Sequence, residues 1–151
     1  MFHLTNLRLI VRLILGLLLT DVSGAWAGTL ARFQTTFGNI EVELFDADKP
    51  VTVQNFLRYT TSGAYSNMFF HRWEPGFVVQ GGGYYSDKVA NIWATPSFGN
   101  ITNEFNVGRR FSNTYGTIAM ARIGGLTNSS NSQWLSEKIP LFFWITDKKL
   151  L

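Results

Sequence analysis

Polar side chains set in apolar sequence are the first place to look for chemistry, because burying them costs free energy unless they are paired or used. Residues 68–83 read MFFHRWEPGFVVQGGG. His71 and Arg72 sit there among Phe69, Phe70, Trp73, Phe77, Val78 and Val79. An arginine in such company either lies along apolar surface with its head in water or lines the rim of a pocket. Gln80 closes the same block, and Gln133 stands in the polar run NSSNSQW. The pattern predicts an apolar cup carrying one guanidinium and two carboxamides. Such a cup donates hydrogen bonds but offers no evident nucleophile or general base. It suits an apolar ring held beside a peptide bond. A competing structural reading pairs Arg72 with Glu74 or Glu104.

Other chemistries are poorly served. The chain has no cysteine, which excludes a thiol nucleophile, a disulfide framework and every cysteine-based metal site. Of its two histidines, His3 lies near the N-terminus, leaving His71 for the body of the chain. A zinc site needs three or four protein ligands, so no metal is expected, and His71 reads as a satisfied structural residue. The nucleophile motif GxSxG is absent. Gly81–Gly83 is neither GxGxxG nor a P-loop, and no helical pattern opens there, so it reads as a tight turn or a close backbone approach. The net charge is only +3 and no Lys/Arg run occurs, so nucleic acid is not indicated.

The elements that must position these residues follow from periodicity. Apolar residues make up 46% of the 151 residues and charged ones 15%, which excludes disorder of the whole chain and fits one domain. Ala31, Phe33, Thr35 and Phe37 alternate with polar residues, and so do Ile40, Val42 and Leu44. The period of two predicts a hairpin turning at Gly38-Asn39, with one face on a core. Pro50 opens a helix, with Asp46 and Asp48 placed to favour its positive end. Val53, Phe56 and Leu57 give that helix its buried side, and Gly63 stops it. Asn67–Arg72 and Phe77–Gln80 read as strands, and Thr117–Ala121 as a short buried one. Residues 84–114 read as a long polar loop of functional character. Many short strands, one early helix and frequent turns predict a mainly β, mostly antiparallel barrel or sandwich.

Residues 1–27 read as an export leader. Arg8 and Arg12 precede or interrupt a short apolar stretch, and Ala25-Trp26-Ala27 is a small-x-small cleavage pattern. The uninterrupted apolar run is shorter than the ~20 residues of a membrane anchor. Cleavage before Gly28, a periplasmic or secreted product and no stable membrane association afterwards are the expectations.

Several blocks, in order, resemble the cyclophilins. FHRWEPGFVVQGGG (70–83) is similar to the signature of that family, in which F-H-R is followed by P-G-F and Q-G-G. GNIEVELF (38–45), ITNEF (101–105), YGTIAMAR (115–122) and NSSNSQW (128–134) also resemble it, over about residues 29–134. The bacterial exported subgroup looks closest. The resemblance implies an antiparallel β-barrel of eight strands capped by helices, with peptidyl-prolyl cis–trans isomerase activity on proline-containing polypeptides. It implies a monomer that needs no cofactor. It gives Arg72 the catalytic place and Phe77 and Val78 the proline pocket. Gln80 and Gln133 would hold the peptide backbone, and Ala121, Arg122 and Ile123 would flank the residue before proline.

Past Trp134 the resemblance stops. Residues 135–151 read LSEKIPLFFWITDKKLL, with Leu135 where the family has a pocket phenylalanine. The division expected is a leader (1–27), an incomplete cyclophilin-like domain (28–134) and a non-homologous tail (135–151). The C-terminal part of the barrel is then missing or replaced. The apolar run 141–145 is an aggregation hazard or a substitute edge strand. A proline-peptide binding module or holdase, or an inactive truncated fragment, are the alternative functions.

Overall fold

A computed structural model describes residues 28–87 and 89–137 of the chain. The leader, Lys88 and residues 138–151, with the apolar run 141–145, lie outside the described residues. The described residues are mainly β, with one helix and eight short strands. Every pairing among the described strands is antiparallel.

Strands β1 (Leu30–Thr35) and β2 (Gly38–Glu43) form the predicted hairpin. Its turn lies at Thr36-Phe37 rather than at Gly38-Asn39, since Thr35 pairs with Gly38. Thr35 is the reason. Its Oγ1 accepts from Phe37 N–H and donates to the Gly38 carbonyl, closing the chain two residues early. Ala31 and Phe33 turn inward as their spacing requires, whereas Phe37 stands exposed at the tip.

Helix α1 spans Pro50–Thr61 and buries Val53, Phe56 and Tyr59. Leu57 packs at the edge of the core. Gly63 ends the helix at φ +75, and Ala64 N–H returns to the Tyr59 carbonyl. The acids expected at its start are engaged elsewhere. Asp46 accepts from Thr29, and Asp48 accepts from Arg109 N–H. The carboxylate at the helix N-terminus is that of Glu104, which accepts from Val51 N–H (3.0 Å) and Thr52 N–H (2.7 Å). This occupation removes Glu104 as a partner for Arg72.

Four strands form the largest sheet, in the order β3-β4-β8-β7. These are β3 (Arg72–Glu74), β4 (Val78–Gly81), β7 (Ile118–Met120) and β8 (Trp134–Glu137). The strand expected over Asn67–Arg72 is shorter and later. Only Met68 makes a bridge, to Tyr85, before β3 begins at Arg72. The polar stretch 84–114 is not all loop, because it contains a hairpin of β5 (Tyr84–Ser86) and β6 (Ile92–Ala94). Asp87 closes that hairpin by accepting from Val89, Ala90 and Asn91 N–H.

Leu44, Val53, Phe56 and Trp134 are the centre of the core. Phe33 and Phe70 meet Trp134 edge-on, with ring centroids 5.0 and 5.7 Å away. A cleft of about 160 Å³ lies between β2, the start of α1 and β7, so the described strands do not close a barrel. Among the described residues, no helix is long and apolar enough to cross a membrane.

Candidate active site

Antiparallel register places directly opposed residues on one face of a sheet. Arg72 opposes Gln80, Gln80 opposes Leu135, and Leu135 opposes Ala119. One row across four strands therefore carries Arg72, Gln80, Leu135 and Ala119. The other face carries Val79 and Trp134, which are buried in the core. Alternation along β4 and β8 thus turns the carboxamide outward while Val79 and Trp134 anchor those strands inward, and β3, exposed at all three residues, brings the guanidinium to the same face through its pairing with β4.

The polar side chains of the row are linked. Gln80 Nε2 donates to Gln133 Oε1 at 2.7 Å. Arg72 Nη1 lies 3.5 Å from Gln80 Oε1, at the outer limit of a hydrogen bond. Arg72 Nε lies 3.5 Å from Glu74 Oε1, and the guanidinium carbon is 5.9 Å from the centroid of the Phe77 ring. Phe77 is 54% exposed on the turn between β3 and β4, held by its N–H to the Glu74 carbonyl. An exposed ring beside an exposed guanidinium is an apolar surface with a positive donor at its edge.

The glycines behind this row are required by close approach. A Cβ on Gly81 would lie 2.6 Å from the Trp134 ring, and one on Gly82 2.5 Å from the Ser132 carbonyl oxygen. One on Gly83 would meet His71 Cε1 at 2.9 Å and Gln133 Cδ at 3.1 Å. The triplet lets β4 and the segment before β8 close on each other, which brings Gln80 to Gln133. His71 lies in the layer beneath, edge-on to Tyr84, with Nδ1 buried and without a hydrogen-bond partner among the described residues. Burial, joined by the charge of Arg72, lowers its pKa and favours the neutral ring, against a smaller opposing pull from Gln133.

Arg72, Phe77, Gln80 and Gln133 come together as one cluster. Val78 is 2% exposed, so it underlies the surface rather than forming it. Ala121 adjoins the cluster through its N–H to the Gln133 carbonyl. Arg122 and Ile123 are exposed on the loop after β7, where Ile123 N–H donates to Ser129 Oγ. The Arg72–Glu74 pair expected on the structural reading is present, and it lies inside the cluster. The signal was the i, i+2 spacing on one strand face. Among the described residues, no group of three His, Cys, Asp or Glu side chains could hold a metal ion.

The family described as "Cyclophilin type peptidyl-prolyl cis-trans isomerase/CLD" matches residues 30–136. The chain is 42% identical over 118 residues to peptidyl-prolyl cis-trans isomerase A of Dickeya dadantii, covering 76% of this chain and 59% of that protein. It is 42% identical over 93 residues to peptidyl-prolyl cis-trans isomerase B of Escherichia coli, covering 62% and 53%. The chain therefore spans less than two thirds of the length of these relatives. Among solved structures, it is similar to a Cryptosporidium parvum cyclophilin-type isomerase crystallised in the presence of the dipeptide Ala-Pro. That match has a TM-score of 0.54 and 26% identity, over 72% of this chain and 67% of the other. With the family match covering β1 to β8 and the antiparallel architecture shared, the chain belongs to the cyclophilin-type peptidyl-prolyl cis-trans isomerase family.

Proposed function

We propose that this chain binds proline-containing polypeptides and accelerates rotation about the X-Pro bond, with Arg72 stabilising the twisted imide. The observation that carries the reading is the linked cluster of Arg72, Gln80 and Gln133 beside the exposed Phe77 ring. An X-Pro bond turns over a barrier of ~18–20 kcal/mol set by amide resonance, and takes tens to hundreds of seconds unaided. Twisting breaks the resonance and returns the lone pair to the prolyl nitrogen. A guanidinium aimed at that nitrogen lowers the barrier without moving a proton or forming a bond. This is preorganised charge acting on a state that only the reaction creates. Phe77, backed by Val78, holds the proline ring, and Gln80 and Gln133 hold the peptide backbone. Ala121, Arg122 and Ile123 flank the residue before proline. No cofactor enters this chemistry. The dipeptide named with the Cryptosporidium structure supports the choice of ligand.

A protease-coupled assay on an X-Pro peptide tests the reading. The native chain is expected to exceed the uncatalysed rate, and Arg72→Ala to lose about a hundredfold in kcat/KM, the scale of removing one positioned donor. Arg72 is exposed, so the Tm of that variant should hold. A native rate equal to the uncatalysed one, with peptide affinity retained, would assign the binding-module or holdase function instead. Leu135 favours that second reading in one respect, because a leucine in the outward row presents less apolar surface to a proline ring than an aromatic residue does.

The proposal extends to residues outside the described ones. Residues 1–27 direct export and are removed, leaving a monomer in the periplasm or outside the cell that assists the folding of exported proteins. The departure from the family pattern over 138–151 belongs to the same proposal. Sequencing of the exported protein is expected to start at Gly28.

A further inference from the structure

Arg72 and Glu74 are two residues apart on β3, so both side chains rise from the outward face. Glu74 is kept there by its neighbours. Pro75 restricts it to extended backbone, and its carbonyl accepts from Phe77 N–H across the turn. Arg72 Nε faces Glu74 at 3.5 Å, Nη1 faces Gln80 at 3.5 Å, and the Phe77 ring lies beside the guanidinium. Among the described residues, these contacts engage Nε and Nη1 and leave the Nη2 edge for a substrate. Gln80 is itself fixed by Gln133. In register, Glu74 opposes Val78, an apolar residue that cannot take over its role.

We propose that Glu74 is a positioning residue for the reaction: its carboxylate holds Nε of Arg72 so that the guanidinium is aimed before the peptide arrives. The inference rests on the reading of Arg72 as the catalytic group. The two side chains are 47% and 53% exposed, so their attraction is modest and salt weakens it. Losing it therefore costs a few-fold, not orders of magnitude. Glu74 supports the guanidinium and not the substrate backbone, so the loss falls on turnover rather than on binding.

Glu74→Gln keeps the size and an acceptor oxygen but removes the charge, and Glu74→Ile removes both. The Gln variant is expected to lose about two- to five-fold in kcat, the scale of an exposed ion pair, with KM within about twofold. The Ile variant should lose more. Raising NaCl from about 0.05 to about 0.5 M shortens the screening length severalfold. Native kcat should then fall toward that of the Gln variant, whose own kcat stays flat. Independently of activity, the Arg72 Nε–H resonance should shift and its side-chain motion quicken in both variants. Native kcat and salt response preserved in Glu74→Gln, or an unmoved Arg72 resonance, would overturn the proposal. A native chain without turnover defeats the functional reading instead, and the Arg72 resonance then decides by itself whether Glu74 orders the guanidinium.

Discussion

Trp134 is 1% exposed, and the reason is the absence of a side chain on Gly81 and Gly82, which lie against its ring. Gly81→Ala would place a methyl group 2.6 Å from that ring, a contact that backbone or indole must relieve. Overpacking of this kind costs about 1–3 kcal/mol, and a denaturant titration should show the midpoint fall with the slope unchanged. His71 gives a pH dependence. Its pKa is lowered by burial, so the unfolded chain binds the proton more readily than the folded one. The stability it contributes is full above about pH 6.5 and is lost as pH falls toward the lowered value. Tm is expected to drop between pH 7.5 and 5 in the native chain and to drop less in His71→Gln. At this scale the sequence was informative. Arg72, Gln80 and Gln133 stand out by being polar amid apolar or small residues, and the structure links them. Val78 did not reveal its burial, because it shares a strand face with Gln80 and is covered there by neighbours that strand alternation does not report.

Helix α1 shows how a loop can hold an element that periodicity alone can place. Glu104 is 5% exposed and accepts from the first free N–H groups of the helix, while Lys49 Nζ donates to the Glu104 and Val107 carbonyls. Glu104→Ala leaves two helix donors without their charged acceptor. A loss of about 2 kcal/mol is expected by chemical denaturation, with Glu104→Gln less affected. The helix itself was legible, since Pro50, the apolar positions and Gly63 are local signals. Its acidic partner was not, because Glu104 is 53 residues from Val51 and no local pattern reports a contact of that span. The first hairpin teaches the complementary lesson. Its existence followed from alternation, but its turn was set by the Thr35 hydroxyl, which competed with the glycine-based signal two residues later.

Two of the apolar surfaces formed by the described residues have no lining residue in common. One is the Phe77 ring beside Arg72. The other is the cleft lined by Val42, Leu44, Phe56, Met120 and their neighbours. A fluorescent apolar dye such as ANS is expected to enter the cleft, and saturating X-Pro peptide should leave its signal in place. Displacement of the dye by the peptide would mean that the two surfaces are one site. The open cleft also explains why a barrel was legible only in part. Strand alternation reports one face at a time, whereas closure depends on which edges meet.

The carboxamide link between Gln80 and Gln133 joins positions 53 residues apart. The first hairpin and the helix can form from nearby residues, but this link waits for β4 to find β8. During refolding, the gain of the proposed isomerase turnover should consequently lag behind far-UV dichroism. In a stopped-flow experiment, the first appearance of the proposed X-Pro turnover would date the meeting of those two strands.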